Sequence, residues 1–373
     1  MRDDLQLPVT TGDVFRRKIG YNVFPLACPF ALTRRFPMQP SPRVFLSGFA
    51  DEATANKTII EQFAVFAALG LQYYTIRFVN LGDGPRNVME LTKSDLQRIR
   101  QFQDEYGLNV SSLGSPIGKV KLEDVDDGTR NQYVPFEKYL DKVKQACDLA
   151  HALETKLIRG FSFYHPKGKN TGDYIAKAAD RLGTIADLCH RNDLTFGLEV
   201  EANLVGQNGH LLAELYKKVN HPALLLVFDG GNIVMQGYNS MEIYEQYEAM
   251  KPGLGWLHVK DFANPRRSEK GGHVDEDKMS NFVPADRGES GHERIFRDLA
   301  SILPALEEKL KSRGIPGVFL DLEPHLKGGG QYGGFSGPDG IGVALRALCR
   351  TLDFVGIAYH LRDFDDVKAA RGF

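Results

Sequence analysis

Short apolar runs rich in β-branched and large residues alternate with amphipathic helical stretches eight times along this chain, and that alternation limits the fold more than any other feature. The runs read as strands over Val44–Phe49, Tyr74–Val79, Asn109–Leu113, Leu157–Phe163, Thr195–Val200, Leu224–Asp229, Trp256–Lys260 and Val318–Leu322. Between them Thr58–Leu69, Ser94–Tyr106, Phe136–Leu153, Tyr174–Asn192, His210–Val219, Met241–Met250 and Arg294–Arg313 carry apolar residues three and four apart. Gly70, Gly107 and Gly314 stand where such helices stop. A strand that rejoins its sheet through a helix pairs in parallel by a right-handed crossover. Eight such units close an α/β (β/α)8 TIM barrel.

A chain of 373 residues has length enough for two domains, yet nothing in the pattern marks a second one. Residues 43–373 read as the barrel, and residues 1–42, rich in Pro and Arg, as an N-terminal arm. Two long segments depart from a bare barrel: a polar insertion at 262–293 after strand seven, and a Gly-rich lid at 326–340 after strand eight, with Tyr332 and Phe335 as apolar caps. Both follow strands, so both belong to the C-terminal face where barrel enzymes hold their sites.

Lys and Arg number 46 against 48 Asp and Glu, a net charge of −2, which leaves no basic footprint for nucleic acid or an anionic membrane. No apolar run is long enough for a membrane helix, and Pro25 and Pro29 break the apolar stretch near the N-terminus that could pass for a secretory core. Cys28, Cys147, Cys189 and Cys349 are far apart, so a reduced, cytoplasmic protein is expected. The Gly-rich segment lacks both the Lys-Ser/Thr ending of a phosphate loop and dinucleotide-binding spacing, so no nucleotide cofactor is expected.

The chemistry concentrates at the ends of strands five to eight, which close on Glu199 and Glu201, on Asp229, on His258 and Lys260, and on Asp321, Glu323 and His325. Two Glu, one Asp and one His meeting at the barrel mouth suit Mn²⁺, Mg²⁺, Co²⁺ or Zn²⁺, with Mn²⁺ the first expectation. Carboxylates that close need a cation between them, or they raise one another's pKa. A non-catalytic sugar binder has no use for three of them.

The runs Leu-Glu199, Phe-Asp229-Gly-Gly-Asn232, Leu-His258-Val-Lys-Asp261 and Leu-Glu323-Pro-His325 resemble the xylose-isomerase-like barrels of the sugar phosphate isomerase/epimerase superfamily, over most of residues 44–355. The resemblance implies one divalent ion held by Glu199, Asp229, His258 and Glu323. In that superfamily an Asn often follows the ligand Glu by two or three residues, which leaves Glu201 open as the ligand in place of Glu199. Many relatives carry His where this chain has Asn232, so the role of that His does not carry over.

Proton abstraction next to a carbonyl is the reaction such a site serves. Glu199 and Glu323 are expected to take part in it, with His165, at the end of strand four in the parity of Arg159 and Phe163, as a general base that is not a ligand. His325, Lys260, Asn232 and Glu201 are expected to bind substrate, and Arg77 to form a buried ion pair. Two outcomes diverge from the common step. The arm, insertion and lid suit a bulky aglycone or a partner chain, and the chain is similar to the larger subunit of C-glycoside deglycosidases. That leads to carbon–carbon lyase action on 3-oxo-glycosides, with a small β-rich partner subunit or a homo-oligomer. The alternative is a sugar isomerase or epimerase.

Overall fold

Strand β1 (Phe45–Gly48) opens a set of eight that continues with β2 (Tyr73–Ile76), β3 (Asn109–Gly114), β4 (Leu157–Gly160), β5 (Thr195–Glu199), β6 (Leu224–Asp229), β7 (Leu254–Val259) and β8 (Phe319–Leu322). This is a computed structural model, and it describes residues 43–264, 270–271, 274, 280–329 and 333–371. All strand pairs are parallel, in the order β1-β8-β7-β6-β5-β4-β3-β2. The first strand lies on the last over four residues, from Phe45 opposite Phe319 to Gly48 opposite Leu322. Toward β2 it makes a single bridge, Phe49 to Thr75, so the barrel is nearly closed.

The crossover helices are α1 (Ile59–Ala68), α2 (Lys93–Tyr106), α3 (Phe136–Ala152), α4 (Ile175–Arg191), α5 (Gly209–Val219), α6 (Ser240–Met250), α7 (His292–Lys311) and α8 (Gly337–Val355). Local signals set their ends. Thr92 and Asp95 form a capping box on α2, and Gly107 closes that helix in the left-handed conformation. Asn208 caps α5, and Asn239 with Glu242 boxes α6. The apolar faces of these helices lie on a core built of residues such as Phe63, Ile185, Leu215 and Phe296, each 0% exposed.

The structure corrects three boundaries. The run expected to extend to Val79 stops at Ile76, and Phe78–Asn80 turns away to pair with Pro85–Asn87. Strand four stops at Gly160 rather than Phe163, whose φ of 70° takes the chain off the strand path. The Gly-rich segment does not run to Gly340: α8 begins at Gly337, with Pro338 in its first turn, where its missing N–H costs nothing.

Inside the barrel, close packing selects the small residue. A Cβ on Gly197 would overlap the Trp256 ring that fills the space beside it. A buried carboxylate sits below the mouth among hydroxyl groups. Asp321 accepts hydrogen bonds from Thr75 (3.1 Å) and Ser111 (3.3 Å), and burial raises its pKa. Among the described residues no helix is long and apolar enough to cross a membrane. The arm at 1–42, Cys28, Tyr332 and most of 265–279 lie outside the described residues.

Candidate metal centre

A carboxylate at the last position of a barrel strand points at the mouth, and three strands use that geometry together. Glu199 ends β5, Asp229 ends β6 and Glu323 directly follows β8, while His258 sits one residue before the end of β7. One donor atom from each lies within 4.8 Å of all the others, and no member is more than 4% exposed. His258 Nδ1 is 3.1 Å from Glu199 Oε1, 3.6 Å from Glu323 Oε2 and 3.9 Å from Asp229 Oδ2. Glu201 is not in this cluster, which contains Glu199; its carboxylate pairs with Lys119 at 3.0 Å.

Cations hold the cluster together. Lys260 Nζ lies 3.0 Å from Asp229 Oδ2 and 2.9 Å from Glu323 Oε2, so it belongs to the site. Arg77 forms the expected buried ion pairs, 2.6 Å from Glu323 Oε1 and 3.2 Å from Asp51 Oδ2. Burial by itself would raise the Glu199 carboxyl, but His258 and Arg159 outweigh it and hold the pKa at about 2. Glu323 is likewise driven well below the usual carboxylate range, against burial, by Lys260, His325 and Arg77. Asp229 goes the other way, raised by burial with Glu323 and Glu199 adding to it. Burial would lower His258, yet Glu199 and Glu323 raise it, so a proton is favoured where a cation would stand.

This donor set fits a divalent cation. Three carboxylates and one imidazole nitrogen suit a hard or borderline ion. Two of their buried oxygens, Glu199 Oε2 and Asp229 Oδ2, accept no hydrogen bond in the structure. The ligands are also oriented. Asn232 donates from Nδ2 to Glu199 Oε1 (3.2 Å) and Glu201 Oε2 (3.2 Å), and its backbone N–H donates to Asp229 Oδ1 (3.0 Å). Asn232, expected to bind substrate, lines the cavity beside the cluster and donates from its amide nitrogen to two carboxylates.

A cavity of about 110 Å³ adjoins the cluster, lined by residues that include Arg77, Lys119, Arg159, Lys260, Glu323 and His325. His325 reaches it from a left-handed backbone (φ 50°) fixed by Glu52 of the first loop. Glu52 accepts from the His325 backbone N–H (2.8 Å) and from Ser336 Oγ (2.9 Å), and its other oxygen lies 2.7 Å from His325 Nδ1. The glycines of the lid have a reason here: a Cβ on Gly334 would overlap the His325 ring. Phe335, expected as an apolar cap, does not line the cavity; its backbone pairs with Lys327 and Gly328.

His165 is not brought to this place. It lines a separate depression with Asp127, Lys167 and Thr171, its ring 6.1 Å from Tyr174 and its Nδ1 3.0 Å from the Pro166 carbonyl. Parity counted from Arg159 fails beyond Gly160, because the chain leaves the strand before His165. Three residues of the site escaped the sequence reading: Asp51 and Glu52, adjacent acids directly after strand one, and Arg159, a charge inside an apolar strand.

The family described as xylose isomerase-like TIM barrel matches residues 63–348. Solved structures share the fold at low identity. A xylose isomerase-like TIM barrel protein from Mycobacterium smegmatis, in complex with magnesium, is 17% identical with a TM-score of 0.55, over 85% of this chain and 97% of its own. The IOLI protein with a bound zinc atom is 15% identical at a TM-score of 0.55, over 84% and 99%. A D-tagatose 3-epimerase-like protein is 16% identical at 0.52, over 84% and 98%. No curated protein sequence matches the chain.

Proposed function

The chain belongs to the xylose isomerase-like TIM barrel family, and from that premise we propose that it is a divalent-metal-dependent sugar isomerase or epimerase. The observation that carries the reading is the pair Glu199 and Glu323. They are two buried carboxylates held ionised, and they approach one point from β5 and β8, strands with two others between them. One would accept a proton from the carbon beside a carbonyl; in an isomerisation the same carboxylate hands that proton to the neighbouring carbon, and in an epimerisation the other, after taking a proton from solvent, delivers it to the opposite face. A divalent ion held by Glu199, Asp229, His258 and Glu323 would supply Lewis-acid polarisation of the carbonyl. Lys260, which Asp229 and Glu323 keep protonated far above neutrality against burial, places a fixed positive charge where negative charge develops on substrate oxygen. Asn232 and Arg159 hold Glu199 in place, one at each carboxylate oxygen.

Carbon–carbon bond cleavage of 3-oxo-glycosides, the leading expectation from the sequence, has less behind it. It rested on the arm, the insertion and the lid, most of which lies outside the described residues, and none of the three similar structures is named for it.

The test is deuterium exchange. Metal-loaded protein is incubated in D₂O with a panel of ketoses, aldoses and keto-sugar acids and followed by NMR. Deuterium should enter at the carbon next to the carbonyl, with a new isomer appearing, and both should vanish in Glu199→Gln and Glu323→Gln. Exchange into none of them, with aglycone released from a 3-oxo-C-glycoside, would replace this reading by the lyase.

A further inference from the structure

Four cationic side chains line the cavity, and three are committed to carboxylates: Arg77 to Glu323 and Asp51, Lys260 to Asp229 and Glu323, Lys119 to Glu201. Arg159 is different. It is 5% exposed, and none of its side-chain N–H groups donates a hydrogen bond among the described residues. Its one charged neighbour among the described residues, Glu199 Oε2, stands 3.4 Å from Nε, and that carboxylate is already engaged by His258 and Asn232. Aromatic rings fix the guanidinium: its centre lies 4.6 Å from the Phe161 ring and 5.2 Å from Phe49. Neither ring satisfies a donor. The main chain is pinned as well, by Ser115 Oγ donating to the Arg159 carbonyl at 2.5 Å.

A buried guanidinium with its donors unmatched costs far more than one that is paired, and native structures keep such groups hydrogen-bonded. A group held this firmly in the cavity wall, whose nearest carboxylate stands 3.4 Å from Nε and is shared with His258 and Asn232, is built to meet something in the cavity. Neutral hydroxyls would accept from it without compensating its charge. A carboxylate does both, because its two oxygens match two parallel N–H groups of the planar fork.

We propose that Arg159 is the receptor for a carboxylate on the substrate, so that the site takes an acidic sugar, a polyhydroxy acid, rather than a neutral one. This rests on the reading of the cavity as a sugar site. It adds a specificity-determining residue on β4 to the reacting groups on β5 to β8.

The test compares D-gluconate with D-sorbitol, which share their hydroxyl configuration and differ only at C1, by calorimetric titration of metal-loaded protein. Wild-type protein should bind gluconate at least about tenfold more tightly. Arg159→Gln should bring the two affinities together, and Arg159→Lys, which keeps the charge without the fork, should lose most of the gap, with metal content unchanged in both. Should Arg159→Gln fail to fold, the lysine variant decides. Equal affinities in the wild type, binding of neither compound, or a full gap surviving in the variants would overturn the assignment. The exchange assay fails separately: gluconate held through Arg159 by a protein that exchanges no deuterium removes the isomerase reading and leaves the carboxylate site standing.

Discussion

Replacing His258 with Ala, or Asp229 with Asn, takes one donor from a cluster whose remaining carboxylates still have Lys260, Arg77 and Arg159 beside them. The expected result is a folded protein that has lost its metal, checked by elemental analysis and circular dichroism on one preparation. Stoichiometric metal in both variants would contradict the quartet. The opposite outcome is expected at His165: in a depression apart from the cluster, His165→Gln should leave kcat unchanged, whereas a general base would lose about 10² to 10⁴. These residues also show what the sequence discloses. Glu199, Asp229, His258 and Glu323 are legible because a charge at the end of an apolar strand has few structural uses. Arg159 is not, since a charge inside a strand gives no sign of what it faces; only the folded chain shows it beside Glu199 and in the wall of the cavity.

Among the elements, the helices on the outer layer were read to within a residue or two because capping is local chemistry. Helix α2 makes this measurable. Asp95 accepts from the Thr92 backbone N–H (2.8 Å), from Thr92 Oγ1 (2.7 Å) and from Arg86 Nη1 (2.9 Å), and the Arg86 bond in particular holds its carboxyl far below the usual range. A folded pKa below the unfolded one means that this stabilisation is present at neutral pH and is lost as pH falls through the acid range. Asp95→Ala should cost about 1–2 kcal/mol in urea unfolding at pH 7, and less as the pH falls below the unfolded carboxyl pKa toward the lower folded one. A loss independent of pH would assign the effect to packing instead. Helix α8 was missed for a reason equally local. Its first turn, Gly337 to Gly340, is three-quarters Gly and Pro, a composition that reads as loop, and tertiary packing on the core overrides it.

For the whole molecule, metal binding and folding are linked. The four donors come from four strands, so they converge only in the closed barrel, and an ion that binds them binds the native state alone. Free metal at a hundredfold its dissociation constant should stabilise the protein by about 2.7 kcal/mol. The thermal midpoint should rise on adding Mn²⁺, Mg²⁺ or Zn²⁺ and fall back with chelator, while His258→Ala should ignore both. A wild-type midpoint indifferent to every divalent ion would count against the centre.

The first strand meets β2 through one bridge but β8 along its full length, and Glu52 ties the first loop to His325 and Ser336. On a translating ribosome the order of manufacture then matters. β1 emerges before every other strand, yet its main partner is made last, so it waits as an open edge while the rest of the barrel is synthesised. Glu323 arrives with that partner. A nascent chain therefore has no complete metal centre at any earlier length, and its chemistry is switched on by the same event that seals the barrel.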